Sequence, residues 1–142
     1  MMFNPHASTP LEKWTRLTVR RWHAEITAML RQTLPRQQYY LLETLREGEP
    51  ITCSDIAEQL QITLPAVTNL SQKLVDSGYV ERTGSDKDRR RVCLRLTPAG
   101  VEILHELDAA AAEMVRRLWS PLDTEEQEQL TRLLQKSFEH YT

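Results

Sequence analysis

Two short helical segments separated by only three residues constrain this chain more than any other feature. Residues 54–60 and a segment that starts near Pro65 and stops at Gly78 each carry apolar side chains at helical spacing, and residues 61–63 form the turn between them. Three residues are too few for anything but a turn. Pro65 suits the first turn of the second segment, and Gly78 is typical of the position just after a helix end. The sequence therefore predicts two helices joined by a tight turn.

The second of these helices has one apolar face and one polar face with little charge. The apolar face consists of Ala66, Val67, Leu70 and Leu74. The opposite face consists of Pro65, Thr68, Asn69, Gln72 and Asp76, with Lys73 beside them. Hydroxyl and amide groups offer hydrogen-bond donors and acceptors at short reach, which is what reading the edges of base pairs requires. The alternative interpretation is a solvated helix face that is low in charge.

A basic hairpin follows the helix pair. Residues 79–82 and 92–96 are typical of strands, and the intervening residues 83–91 include no apolar side chain. From Arg82 to Arg95 there are six basic and two acidic residues, although the whole chain has a formal net charge of -2. A projecting basic ribbon is typical of contacts with phosphates or a DNA groove. The alternative is a solvated, charged turn.

Together these segments resemble the winged helix-turn-helix of the MarR family of transcriptional regulators. The matching stretches are residues 56–60, 63–68, 74–82, 86–90 and 96–100, of which the Asp-x-Arg pattern in the wing and the Leu-Thr-x-x-Gly that follows are the most specific. The resemblance implies that Arg90 enters the minor groove, that Asp88 fixes the wing through an ion pair, and that Thr68 lies in the major groove. The family often has arginine where this chain has Asn69, and asparagine favours bidentate contact with adenine rather than guanine.

The candidate DNA-binding residues therefore come from the polar helix face and the hairpin. They are Thr63, Pro65, Ala66, Thr68, Asn69, Gln72, Lys73, Arg82, Asp88, Arg89, Arg90 and Arg91.

Amphipathic helices flank this unit at both ends of the chain. One is predicted from Thr9 or Pro10 to about Thr33, a second from Pro98 to Trp119, and a third after Asp123. The helix-turn-helix is too small to cover all of their apolar stripes, so we expect a second copy of the chain to do so, and the family resemblance implies the same. The predicted fold is mainly α with a small β-wing. Residues 35–97 form the winged helix-turn-helix, between a tail and dimerisation helix (1–34) and two C-terminal dimerisation helices (98–142).

Composition excludes several other classes of protein. With 142 residues and a pI near 6.1, any contact with DNA must come from local patches rather than from overall charge. There is no apolar run of about eighteen residues and no signal sequence, so the expectation is a cytoplasmic protein that does not enter membranes. The four histidines and two cysteines show no metal spacing or catalytic pattern, so no cofactor, metal or enzymatic activity is predicted.

The function that the sequence favours is a homodimeric, sequence-specific DNA-binding regulator, a repressor rather than an activator by resemblance. The alternative is a winged-helix module that binds proteins and has lost DNA binding. Members of the family often release DNA when a small aromatic acid fills a cleft beside the dimerisation helices. For such an effector this chain offers Trp14, Trp22 and Tyr39 for stacking and Arg16, Arg20 and His23 for a carboxylate. The alternative for these aromatic residues is an interface core without a ligand.

Overall fold

The computed structural model describes residues 9–84 and 91–141, which form six helices and a three-stranded sheet. This mainly helical chain with a small β-sheet confirms the predicted fold class. The elements in chain order are α1 (Pro10–Leu30), α2 (Arg36–Thr44), β1 (Ile51–Thr52), α3 (Cys53–Leu60), α4 (Leu64–Asp76), β2 (Val80–Gly84), β3 (Val92–Leu96), α5 (Pro98–Trp119) and α6 (Thr124–Glu139).

Side-chain caps define where most of the helices begin. The Thr97 hydroxyl accepts a hydrogen bond from the Gly100 N–H at 3.1 Å ahead of α5, and Asp123 forms a reciprocal capping box with Glu126 ahead of α6. Thr9, Thr52 and Thr63 cap α1, α3 and α4 in the same way. The predicted starts of α5 and α6 are therefore confirmed.

Several predicted boundaries differ from the structure. α4 begins at Leu64 rather than Pro65, because Thr63 is the capping residue. α2 ends at Thr44, because Leu45 leaves the helical region of backbone space. The remaining boundaries differ by up to three residues, which is the usual uncertainty at frayed helix and strand ends.

The strand β3 is the centre of an antiparallel sheet with the order β1-β3-β2. Leu94 lies opposite Ile51 of β1 and also opposite Arg82 of β2. Leu94 and Leu96 are buried and Arg95 between them is exposed, but Cys93 is buried as well, so β3 alternates only over its last three residues. The loop that joins β2 to β3 includes residues 85–90, which lie outside the described residues.

The hydrophobic core lies between α2, α3, α4 and the sheet, and the inner faces of α1 and α5 close it. Ile26 and Leu30 from α1 and Leu104 and Leu107 from α5 join the same buried cluster. The largest fully buried side chains are Leu41, Leu42, Leu45, Ile56, Leu74 and Leu94. We refer to residues 36–96, which build most of this core, as the winged lobe.

Apolar side chains remain exposed at both ends of the chain. No residue of α6 is buried, although one of its faces carries Leu133, Leu134 and Phe138, the last of them 70% exposed. At the start of α1, Leu11 and Trp14 are exposed as well. An amphipathic helix derives most of its stability from burying its apolar face. The described chain therefore leaves the apolar face of α6 without a packing partner.

Candidate nucleic-acid interface

The turn between α3 and α4 depends on one unusual backbone conformation. Gln61 adopts a left-handed conformation with φ 53° and ψ 44°, and the Ile62 N–H donates to the Ala57 carbonyl at 3.0 Å. The next residue, Thr63, already caps α4. The chain therefore reverses within three residues, and the predicted helix-turn-helix is confirmed.

The inner face of α4 packs against the core and fixes the orientation of its outer face. Val67, Leu70 and Leu74 are buried as predicted, whereas Ala66 is only half-buried. Sequence reasoning missed Ser71, which is also buried. Its hydroxyl donates to the Thr68 carbonyl at 2.9 Å, so this small polar side chain meets its hydrogen-bonding requirement within the helix.

The outer face of α4 presents the predicted reading residues to solvent. Thr63, Pro65, Thr68, Asn69, Gln72 and Lys73 are all exposed. The Thr68 hydroxyl donates to the Leu64 carbonyl at 3.1 Å, and the Gln72 amide donates to Asp76 at 2.7 Å. Among the described residues, the side chains of Asn69 and Lys73 make no hydrogen bond or ion pair. The amide and the ammonium group are therefore available to a ligand without breaking a contact seen in this part of the chain.

The hairpin brings two further cations beside α4. Arg82 on β2 and Arg91 just before β3 are exposed, and neither forms an ion pair within residues 9–84 and 91–141. A cavity of about 530 Å³ separates them from α4 and the start of α3. Its lining also includes Thr68, so the hairpin cations and the reading helix face the same groove. Asp88, Arg89 and Arg90, the other predicted wing residues, lie outside the described residues.

Cys53 lines the same groove, at the first position of α3. A helix start can lower the pKa of a thiol. Here burial raises the pKa of Cys53, and the nearby positive charge of Arg82 only partly opposes this. Cys93 is buried in β3. Neither thiol thus has the environment of an activated nucleophile.

The six residues predicted to bind an aromatic effector do not come together in one cavity. A space of about 230 Å³ between α1, α2 and the α3–α4 turn includes His23 but none of the other five. Tyr39 is only 4% exposed, and its hydroxyl donates to Glu43 at 2.8 Å. Trp22 packs against the core, while Trp14, Arg16 and Arg20 are exposed on α1. Tyr40, not singled out from the sequence, contributes the aromatic ring beside His23.

Metal and membrane features are absent from the described part of the chain. No group of three or more histidine, cysteine or acidic side chains comes close enough to hold a metal ion there. None of the described helices combines the length and the apolar character needed to cross a lipid bilayer.

Known proteins share this arrangement. A sequence profile of the MarR family matches residues 34–92. The chain is 30% identical over 105 residues to the uncharacterized HTH-type transcriptional regulator YdgG of Bacillus subtilis, covering 72% of this chain and 69% of YdgG. It is 33% identical over 91 residues to the transcriptional repressor MprA of Escherichia coli, covering 64% of this chain and 52% of MprA.

A solved structure extends the similarity to nearly the whole chain. The structure of the S. aureus MepR–DNA complex matches with a TM-score of 0.76 and 26% identity, covering 94% of this chain and 99% of that chain. By contrast, the chain spans only 52–60% of the length of several curated relatives. These relatives are transcriptional regulators and not enzymes, which agrees with the expectation from the sequence. From the profile, the coverage of YdgG and the shared winged helix-turn-helix, we conclude that the chain belongs to the MarR family.

Proposed function

We propose that this protein is a transcriptional repressor that binds a pseudo-palindromic DNA operator as a homodimer. The observation that carries the proposal is the exposed outer face of α4 with the cations Arg82 and Arg91 beside it, which form no ion pair with any described residue. Amide and hydroxyl groups suit base edges, and guanidinium groups suit phosphates. The proposal also places the protein in the cytoplasm, where it would reach its operator.

In the proposed complex α4 lies in the major groove of DNA. Asn69 is the strongest candidate for a base contact, because its amide makes no hydrogen bond among the described residues and asparagine can bind adenine in a bidentate manner. Lys73, Arg82 and Arg91 neutralise backbone phosphates. The family resemblance adds Arg90 in the adjacent minor groove and an ion pair of Asp88 that fixes the wing.

The exposed apolar surfaces support the homodimer. The apolar face of α6 and the start of α1 are solvent-exposed in the described chain. A second copy supplies matching surfaces of the same kind, because twofold interfaces use the same patch on both subunits. Two α4 helices related in this way read half-sites about 34–36 Å apart, one turn of the DNA helix.

Two relatives support action at an operator. MprA, 33% identical to this chain, is named a transcriptional repressor, and MepR was solved as a complex with DNA. This chain represses transcription if its operator overlaps a promoter, because the bound protein then blocks access to that promoter.

Release of DNA by a small aromatic acid is a further part of the proposal. The cavity beside His23 combines an aromatic ring and a cation, Tyr40 and Arg36, with the apolar side chains of Leu60, Ile62 and Leu70. A mostly apolar pocket with a few polar anchors is the usual composition of a small-molecule site. A ligand that binds more tightly to a dimer whose two α4 helices do not fit the half-site spacing shifts the protein toward that conformation and so lowers its affinity for DNA. The shift in free energy cannot exceed the difference between the ligand's affinities for the two conformations.

Selection of binding sites from random DNA duplexes tests the proposal. We expect enrichment of an inverted repeat with half-site centres about 10 base pairs apart. Recovery of random sequences, with no duplex bound more tightly than a scrambled one, would contradict DNA reading. That result would favour the protein-interaction alternative instead.

A further inference from the structure

Hydrogen bonds join the winged lobe to the start of the long helix α5 and to a point further along it, in addition to buried apolar contacts. The first of these places is the junction between the end of α4 and the start of α5. The Thr97 N–H donates to the Tyr79 carbonyl at 3.1 Å, and the Thr97 hydroxyl donates to the Gly78 carbonyl at 2.5 Å. Gly100 lies so close to this junction that an added Cβ would be 2.1 Å from the Tyr79 oxygen. The end of the reading helix is thus fixed against the start of α5.

The second attachment is an ion pair further along α5. Both guanidinium NH₂ groups of Arg46 donate to the Asp108 carboxylate, at 2.6 Å and 2.7 Å. This pairing lowers the pKa of Asp108 below its ordinary value. Asp108 follows Gly100 by eight residues, which corresponds to about 12 Å along an α-helix. The two attachments are therefore well separated.

Side chains of the winged lobe hold Arg46 in place for this contact. Glu43 accepts a hydrogen bond from Arg46 at 3.3 Å and another from the Tyr39 hydroxyl at 2.8 Å. Tyr39 is itself part of the hydrophobic core. A chain of hydrogen bonds therefore runs from the core of the winged lobe through Arg46 to α5.

Buried side chains of α5, among them Leu104 and Leu107, already hold the winged lobe against this helix, and the Arg46–Asp108 pair adds a directional restraint on its angle. Apolar contacts between α1, α5 and the lobe also join these parts, but such contacts are not directional. A bidentate ion pair is directional, because two parallel hydrogen bonds define both position and orientation.

A small pivot has a large effect at the DNA-reading end of α4. α4 has 13 residues and is therefore about 20 Å long. Its first turn consequently lies about 20 Å from the junction at Tyr79. A rotation of about 10° over that distance moves the first turn of α4, which includes Pro65, by about 3.4 Å, which is one base-pair step.

From this geometry we infer that Arg46 and Asp108 are positioning residues that set the half-site spacing the protein prefers. They fix the angle between the winged lobe and α5 without contacting DNA themselves. The inference rests on the proposed function, since spacing has meaning only for a DNA-binding dimer. The angle itself, however, can be measured without DNA.

The angle is tested by pulsed EPR distance measurement. Spin labels are attached through Asn69→Cys on α4 and Glu106→Cys on α5, in a chain that also carries Cys53→Ser and Cys93→Ser. Dilution with unlabelled protein isolates the distance within one chain. Arg46→Ala is expected to broaden or shift the distance distribution. Arg116→Ala is the matched control, because Arg116 pairs with Glu113 at 2.7 Å on α5 and that pair does not involve the winged lobe.

Spacing preference is the second readout. Affinities are compared for the selected operator and for versions with one base pair added or removed at its centre. We expect Arg46→Ala to reduce discrimination between these spacings by about fivefold or more, and the exchange Arg46→Asp with Asp108→Arg to restore part of it. An unchanged EPR distribution, or an equal loss of affinity at every spacing, would overturn the inference. Failure of the wild-type chain to bind any duplex would instead count against the proposed function, and the EPR result would still decide whether the pair fixes the angle.

Discussion

Glu81 on β2 lies directly opposite Arg95 on β3, and its carboxylate accepts a hydrogen bond from the Arg95 Nε–H at 2.8 Å. This cross-strand pair compensates one of the six positive charges of the hairpin. Arg82 and Arg91, in contrast, make no ion pair with any described residue. The hairpin thus has both a cation used for folding and cations available for binding.

Replacing these arginines is expected to separate the two roles. Arg91→Ala removes a cation that faces the groove and should lower the slope of log affinity against log salt by about 0.9 for each phosphate that Arg91 neutralises. Arg95→Ala should leave that slope nearly unchanged, because Glu81 already compensates its charge. Fluorescence anisotropy titrations with the selected operator at several salt concentrations measure both. Equal slope changes for the two variants would show that the pair does not persist on DNA.

Substitutions on the outer face of α4 are expected to change which sequence is preferred. Asn69→Ala and Gln72→Ala each remove an amide that can contact a base edge, worth about 1–3 kcal/mol of discrimination for a good bidentate contact. Repeating the site selection with each variant measures the effect. Asp76→Ala serves as a comparison, because it releases the Gln72 amide without removing it. If Asn69→Ala selects the same sites as the wild type, Asn69 is not a reader.

The apolar face of α6 provides a test of the homodimer. The double substitution Leu133→Ser and Phe138→Ser, or removal of residues 123–142, should abolish dimerisation and DNA binding together, because both destroy the apolar surface proposed for the second copy. Glu128→Ser is the control, since Glu128 lies on the opposite side of the same helix. Sedimentation velocity gives the mass of each species. A truncated chain that sediments as a folded dimer would rule out this interface.

The reactivity of Cys53 is expected to depend on pH in a defined direction. Alkylation requires the thiolate, and a free cysteine ionises near pH 8.5, an approximate reference value. Because burial raises the pKa of Cys53, its alkylation in a Cys93→Ser chain should be slower than that of a free thiol at neutral pH and should increase only at higher pH. Arg82→Ala should move the profile to still higher pH, because it removes the charge that favours the thiolate. Arg95→Ala is the control. An alkylation profile of Cys53 with its midpoint below about pH 8.5 would contradict the buried environment of this thiol.

The sequence predicted most of the fold because the relevant signals are local. A threonine or aspartate before a helix caps it through its own side chain, so Thr97 and Asp123 mark the starts of α5 and α6. Hydrophobic periodicity placed Val67 and Leu74 on the inner face of α4, which in turn put Asn69 on the outer face. The exposed reading face followed from that pattern alone.

Contacts between distant segments could not be predicted in this way. Arg46 and Asp108 are 62 residues apart, and nothing in the local sequence of either indicates the other. Tyr39 is a related case, because the sequence suggested an aromatic ring for stacking and could not distinguish a pocket wall from a core position. The structure buries it in the core and places Tyr40 in the cavity.

If exposed polar groups on the outer face of α4 bind duplex DNA, the affinity for the operator depends on salt, and comparing that dependence between the wild type and Lys73→Ala measures the contribution of this face. Lys73 makes no ion pair among the described residues, so its removal should not disturb the fold. We expect a steep salt dependence for the wild type. In Lys73→Ala we expect a slope flatter by about 0.9 for each phosphate that Lys73 neutralises, with the sequence preference unchanged. A wild-type affinity that does not vary with salt, or a Lys73→Ala variant with the same slope as the wild type, would contradict it.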